Sequence, residues 1–414
     1  MKVLKTLSGV FWAILAIIAV AVVTCVVLVS VFGTRTQTIR GTENIEDVAP
    51  PEPEITGAEM RILLAGTTFW GRRTNTDSRN SALGVKYPFS QLDTLERERY
   101  DAWIAGLECP VTDNGHNAKE EETIFKFNCD PDYLPEAAKY FTAFLLGNNH
   151  AGNQGAAGLA TTRAYLKQNG IQYFGTPKRS AGGLADPDAT NDTADASNCG
   201  IVVLPVRVAL DNDTEEKYQI PFGFCSAHGV YGVPGEDFLQ NIKTYAQYVP
   251  TIAMPHMGAE YKTSHDTLRQ NIYRKIIDYG AESVIADHPH WIQDSEAYGG
   301  KLIVYSMGNF MFDQTFNVEV SRSAAIEALA TFDIEELDLA GWNELGEKCL
   351  EDAETCFENI VAAELKRPTL TWKYAYHGTT SAVSRITRLA SEAEQAAIGQ
   401  RLNWAAIPAE MKLE

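Results

Sequence analysis

The sequence predicts a layered α/β domain carried on a single membrane anchor. Two observations point there. An uncharged, apolar run, Thr6 to Thr34, lies between Lys5 and Arg35. Downstream, short runs rich in Val, Ile, Leu and Ala alternate with amphipathic stretches, the pattern of strands alternating with helices.

The apolar run exceeds the roughly 20 residues that a bilayer requires. It is also longer than the apolar core of about 7–15 residues of a cleaved leader. Residues 6–34 are therefore read as an anchor, with residues 1–5 on the cytoplasmic side because of Lys2 and Lys5. Residues 35–58 carry Thr, Glu, Asp and Pro with little apolar content, and read as a solvated linker. The main domain is expected over 59–330, with a C-terminal extension, 331–414, packing on it.

Within the domain, strands are expected over 61–66, 101–107, 142–147 and 171–174. Further strands are expected over 201–206, 220–224, 248–254, 283–286 and 302–306. Residues 90–100 read as helical. Gly155 to Asn169 reads as a helix closed by Asn169-Gly170, and Thr267 to Tyr279 as one ended by Gly280. Residues 183–199, rich in Asp, Ala, Thr and Asn, read as a surface insertion. In the tail, 333–359 is acidic and helical, 369–376 alternates as a half-buried strand, and 391–404 is a closing helix.

The net charge of −19 argues against nucleic acid as a partner. It also disfavours capture of a polyanion unless a local cation overrides the average. One of the seven cysteines, Cys25, lies in the apolar run. The other six suit an oxidising compartment. The simplest of their 15 connectivities joins neighbours, Cys109–Cys129, Cys199–Cys225 and Cys349–Cys356; free buried thiols are the open alternative.

An ordered series of polar clusters stands at the ends of the expected strands. It runs Leu107-Glu108-Cys109-Pro110, then Asn148-Asn149-His150, then His256-Met257-Gly258-Ala259-Glu260, then His288-Pro289-His290, then Met307-Gly308-Asn309. Ligands gather beyond the carboxyl ends of strands in open α/β sheets. Imidazoles, a carboxylate and an amide oxygen together suit Mn, Fe or Zn, and two such ions can activate water for attack on a phosphoryl group.

This series resembles the CapA/PgsA family of poly-γ-glutamate capsule-biosynthesis proteins, whose domain looks like a calcineurin-type metallophosphoesterase. The resemblance covers roughly residues 60 to 315. It implies a four-layer sandwich of two packed mixed sheets flanked by helices, and one or two divalent metal ions. It implies Glu108, Asn149, His256, His288 and His290 as metal ligands and His150 as general acid or transition-state stabiliser. Glu260 and Asn309 would shape the pocket edge, and Arg72 would bind a carboxylate or phosphate. A surface polymer or its precursor, and membrane synthase subunits, are the partners it implies.

The chain also departs from the family pattern. Thr67 stands where an Asp ligand is usual, Gly106 for Asn, Asn153 for Asp and Ala286 for Gly. Asp77 is the candidate substitute for the missing carboxylate, and Asp287 a candidate partner orienting a histidine. Three readings follow: a capsule-type envelope protein with metal-assisted chemistry, an unrelated extracytoplasmic phosphoesterase, or a non-catalytic envelope scaffold with a reduced site.

Overall fold

The computed structural model describes residues 53–115, 117–177, 198–230 and 233–413. The expected anchor, the cytoplasmic end and most of the linker lie outside the described residues, as does all but the end of the 183–199 insertion. Among the described residues no helix is long and apolar enough to cross a membrane.

The organising element is β1 (Ile55–Thr68). Its first half alternates between buried and partly exposed residues, while its last seven residues are all buried. The switch reflects its neighbours. The first half pairs antiparallel with β5 (Cys199–Leu210), and the second half runs parallel to β2 (Ala102–Leu107) with both faces covered. On its other edge β1 pairs with β12 (Arg322–Phe332) and, at its end, with β11 (Asn309–Met311).

Two arms therefore leave β1. One continues from β2 to β3 (Ala143–Leu145) and β4 (Gln172–Phe174). The other runs from β5 to β6 (Glu215–Cys225), β7 (Thr251–Ala253), β8 (Ser283–Ile285), β10 (Lys301–Val304) and β9 (Ser295–Tyr298). The arms face each other across one apolar core. Ile104, Leu145 and Phe174 share it with Phe224, Ile252, Ile285 and Val304, and the Phe174 and Phe224 rings are 5.1 Å apart.

Each arm has its own outer layer. Trp103 and Phe144 pack against Phe89, Tyr133 and Leu166. Val284 and Ile303 pack against Phe238 and Ile242 of helix Glu236–Tyr248 and Tyr273 and Ile276 of helix Thr267–Asp278. The protein is thus a mixed α/β fold with a large sheet flanked by helices. The two sheets expected from the resemblance are hydrogen-bonded through β1 into one branched network of 14 strands, because a strand of 14 residues is long enough to serve both arms.

Several local expectations differ. Residues 90–100 form two short 3₁₀ turns, Leu92–Leu95 and Arg97–Arg99, broken at Glu96 by a left-handed φ of 53°. Tyr248 ends a helix rather than opening a strand. The tail is part of the sheet: β12 runs through residue 330 and pairs along its whole length with β13 (Leu370–Thr380). The acidic segment forms helices Leu339–Glu351 and Cys356–Ala363. The closing helix, Glu392–Arg401, begins with a reciprocal capping box between Ser391 and Glu394.

All three neighbour disulfides are present: Cys109–Cys129, Cys199–Cys225 and Cys349–Cys356. Cys199 and Cys225 face each other directly across β5 and β6.

Candidate metal centre

The polar clusters converge where the parallel strands end. Glu108 is the first residue beyond β2, and its amide donates to the Thr68 carbonyl at 3.0 Å. Asn148 shapes the loop after β3. Its Oδ1 accepts from the His150 and Ala151 amides, and its Nδ2 donates to the Leu107 carbonyl. His256 follows β7 and bridges to Asp287, which follows β8. Asn309 opens β11, opposite Thr67 in β1. Gly66 makes this last approach possible, since a Cβ there would stand 2.1 Å from the Gly308 carbonyl oxygen.

Glu108 is the centre of the cluster. Its side chain is 1 % exposed, and neither carboxylate oxygen has a hydrogen-bond partner. Three imidazole Nε2 atoms face Oε1: His256 at 3.5 Å, His150 at 3.9 Å and His290 at 3.9 Å. The nearest is at the outer limit of a hydrogen bond. His256 Nε2 also lies 2.9 Å from Asn149 Oδ1 and 3.1 Å from His288 Nδ1.

Three of the histidines are turned by a partner on the far nitrogen. His256 Nδ1 meets Asp287 Oδ1 at 2.6 Å. His290 Nδ1 meets Asn309 Oδ1 at 2.7 Å, while the Asn309 amide group donates to the Val320 carbonyl. That donation fixes Asn309 Oδ1 as acceptor, so His290 Nδ1 carries a hydrogen and Nε2 is the nitrogen turned toward Glu108. His150 Nδ1 meets Asn153 Oδ1 at 2.9 Å, and the same oxygen accepts from the Phe127 amide, which imposes the same tautomer.

The electrostatics follow from burial and contact. Burial pushes the Glu108 carboxyl up, but the imidazoles of His290, His256 and His150 outweigh it and hold the group below the usual carboxylate range. Burial alone would lower His256, yet Asp287 and then Glu108 lift it to about 10. Burial lowers His150, which Glu108 only partly offsets. Burial and the neighbouring His256 push His288 well below its ordinary value. His288 and His290 also hold left-handed backbone angles, φ 96° and φ 53°. Such angles cost roughly 1–3 kcal/mol each and persist where the surroundings over-determine them. Here the Tyr261 amide ties down the Pro289 carbonyl between them at 2.8 Å.

These residues fit a divalent cation. A buried carboxylate with unsatisfied oxygens needs a cation. Ligand atoms of Glu108, His256 and His288 lie within 4.8 Å of one another; His256 Nε2 is 3.5 Å from Glu108 Oε1 and 3.1 Å from His288 Nδ1, spacings that a cation with metal–ligand bonds of about 2.0–2.2 Å can bridge.

The structure brings together Glu108, Asn149, His150, His256, His288, His290, Asp287 and Asn309. It treats Arg72 and Glu260 differently. The Arg72 guanidinium is bonded to Asp313 at 2.5 Å and lies 4.6 Å over the Phe127 ring. It reaches the cluster through Phe127, whose ring is 4.2 Å from that of His150. Glu260 is exposed, next to Tyr261 on the rim. Asp77 does not replace the carboxylate missing at Thr67, because it pairs with Arg385. Thr67 donates to Asp287 Oδ2 at 3.0 Å instead. Asp313 and Phe127 were missed by sequence reasoning. Asp313, which closes the Gly308-Asn309-Phe310-Met311-Phe312-Asp313 string, was the one with a legible signal.

A family model described as "Bacterial capsule synthesis protein PGA_cap" matches residues 61–314, more than half of the chain. The chain is 26% identical over 180 residues to "PGA biosynthesis protein CapA" of Bacillus subtilis (strain 168), covering 42% of this chain and 43% of that one. It is 27% identical over 208 residues to "Capsule biosynthesis protein CapA" of Bacillus anthracis, covering 49% of this chain and 45% of that one. The chain therefore spans less than half the length of either relative. Among solved structures, that of TT1561 of Thermus thermophilus aligns with a TM-score of 0.31 at 10% identity, covering 64% of this chain and 93% of that one, too distant to carry an argument. By the match over residues 61–314, the chain belongs to the bacterial capsule synthesis protein PGA_cap family.

Proposed function

We propose that this protein acts in the biosynthesis, transport or tethering of a capsular polymer of the poly-γ-glutamate type, through a divalent metal centre built on Glu108. The observation that carries the reading is the buried Glu108 carboxylate, unsatisfied by hydrogen bonds and ringed by three imidazole Nε2 atoms. Glu108, Asn149, His256, His288 and His290 would hold Mn, Fe or Zn. The bound ion would supply Lewis-acid activation of water or of a substrate oxygen, suited to hydrolysis or transfer. His150, kept neutral by burial and oriented by Asn153, stands beside the centre as a proton-handling group.

Three disulfides support an extracytoplasmic domain, since such bonds persist in oxidising compartments. Residues 6–34 would anchor it to the membrane, beside synthase subunits. A second reading is a non-catalytic envelope scaffold, and the neutral side chains of Thr67 and Asn153 favour it.

The deciding experiment is metal analysis of the purified full chain after dialysis against a weak chelator. About one or two equivalents of Mn, Fe or Zn support the metal-centre reading and direct the search to γ-glutamyl and phosphate-ester substrates. A metal-free protein that gains none on incubation with these ions overturns it in favour of the scaffold.

A further inference from the structure

Thr67, Gly106 and Asp287 come from three separate strand ends and form one socket. Thr67 and Gly106 are direct partners in the β1–β2 register. The Thr67 hydroxyl donates to Asp287 Oδ2 at 3.0 Å. A Cβ built on Gly106 would stand 2.7 Å from that same oxygen, and its next nearest atoms, at 3.7 and 3.9 Å, are in ordinary contact. The other oxygen, Oδ1, holds His256 Nδ1 at 2.6 Å. Asp287 is 3 % exposed and Thr67 1 %, so water does not stand in for either contact.

We propose that Asp287 is the positioning residue of this centre, and that Thr67 and Gly106 exist as its socket. The negative charge beside His256 enters from the loop after β8. It is seated there by a neutral donor at position 67 and by the side chain that position 106 lacks. Asp287 binds Nδ1 of His256 and so leaves Nε2 as the nitrogen turned toward Glu108. A carboxylate at position 67 would face Asp287 Oδ2 at hydrogen-bond distance with no proton between them. A carboxylate is therefore tolerated at 67 or at 287, but not at both. This inference rests on the metal-centre reading for its affinity readout only.

The test is a pair of double-mutant cycles on the full chain, Gly106→Ala with Asp287→Ala and Thr67→Asp with Asp287→Ala. Two quantities are measured: zinc affinity, by competition with a chromophoric chelator, and the thermal midpoint of the metal-free protein. Asp287→Ala is expected to weaken zinc about 10–100-fold, the usual cost of losing a histidine's outer partner. Gly106→Ala is expected to lower both quantities in the parent and to change neither in the Asp287→Ala background, where the obstructing oxygen is gone. Thr67→Asp is expected to destabilise the parent and to restore part of the lost affinity in the Asp287→Ala background. Asp287→Ser, which is shorter and removes both carboxylate oxygens, replaces Asp287→Ala if the latter does not fold. Additive effects of Gly106→Ala and Asp287→Ala in both readouts overturn the socket. If the parent binds no zinc while the thermal midpoints still couple, the socket stands and the metal-centre reading falls.

Discussion

Oε1 of Glu108 lies 3.5 Å from Nε2 of His256, and each side chain is only 1 % exposed. The two residues are 148 positions apart in sequence (256 minus 108), yet the contact defines the centre. Asp287 and Glu108 both raise the His256 pKa, so imidazole and carboxylate attract across this gap.

Removing a ligand should cost more than removing its outer partner. His256→Ala and His288→Ala are each expected to lower bound metal by more than the roughly 10–100-fold that loss of an outer partner brings. Elemental analysis of both variants checks this, and unchanged stoichiometry in the two would rule out the site assignment.

Asn309 Oδ1 accepts from His290 Nδ1 at 2.7 Å. Asn309→Ala should leave the fold intact and weaken metal binding by about 10–100-fold. Asn309→Asp, which keeps an acceptor at the same place, should retain most of the affinity. A zinc titration of both variants tests it; equal losses would mean that the hydrogen bond at 2.7 Å is not what matters.

Acid stability should depend on Glu327, which pairs with Arg61 and His377. Burial raises its carboxyl pKa, but the hydrogen bond and charge of His377, with the charge of Arg61, bring it down to about 2. A carboxylate with a depressed folded pKa contributes stability above its unfolded value, about 4.3–4.5, and loses it as pH falls toward 2. The Glu327 side chain is 2 % exposed, so solvent screens little of this. The contribution is on the order of 3 kcal/mol. Glu327→Gln should therefore lower the thermal midpoint at pH 6, with the difference from the parent shrinking between about pH 4.5 and 2. A constant difference across that window would reject the linkage.

The six cysteines among the described residues are all paired, and Cys25 lies outside those residues. Thiol titration of the denatured, unreduced full chain should find one thiol. Finding all seven would reject the pairings. The Cys109–Cys129 bond closes a separation of 20 residues directly beside Glu108. Its loss as Cys129→Ser should cost about 3 kcal/mol in the loop-entropy account and weaken metal binding by loosening the Glu108 loop.

Much of the cluster is legible in the sequence. Glu108, Asn149, His256, His288 and His290 each follow a short apolar run, and the structure gathers all of them. The helix Gly155–Gln168 and its closing Gly170, at φ 70°, were legible from the Asn-Gly pair. The errors cluster where the outcome depends on distant partners. β12 carries four alanines and no strong alternation, so it reads as nothing in particular until β1 and β13 pair with it on both sides. Residues 90–100 have helical composition, yet the left-handed Glu96 breaks them into two turns. Nothing local shows that Asp313, 241 residues on, takes the Arg72 guanidinium.

By itself, then, the sequence determined which chemical groups this protein places at its strand ends, because strand length and apolar pattern are local and each loop follows directly from its strand. Only the tertiary structure decided how those groups are arranged. That β1 joins both arms, that Asp287 rather than Asp77 supports the site, and that Thr67 and Gly106 make its seat all depend on which backbones approach to within a few ångströms. Such approaches are set by long-range pairing and by the space a missing side chain leaves, neither of which any short stretch of sequence contains.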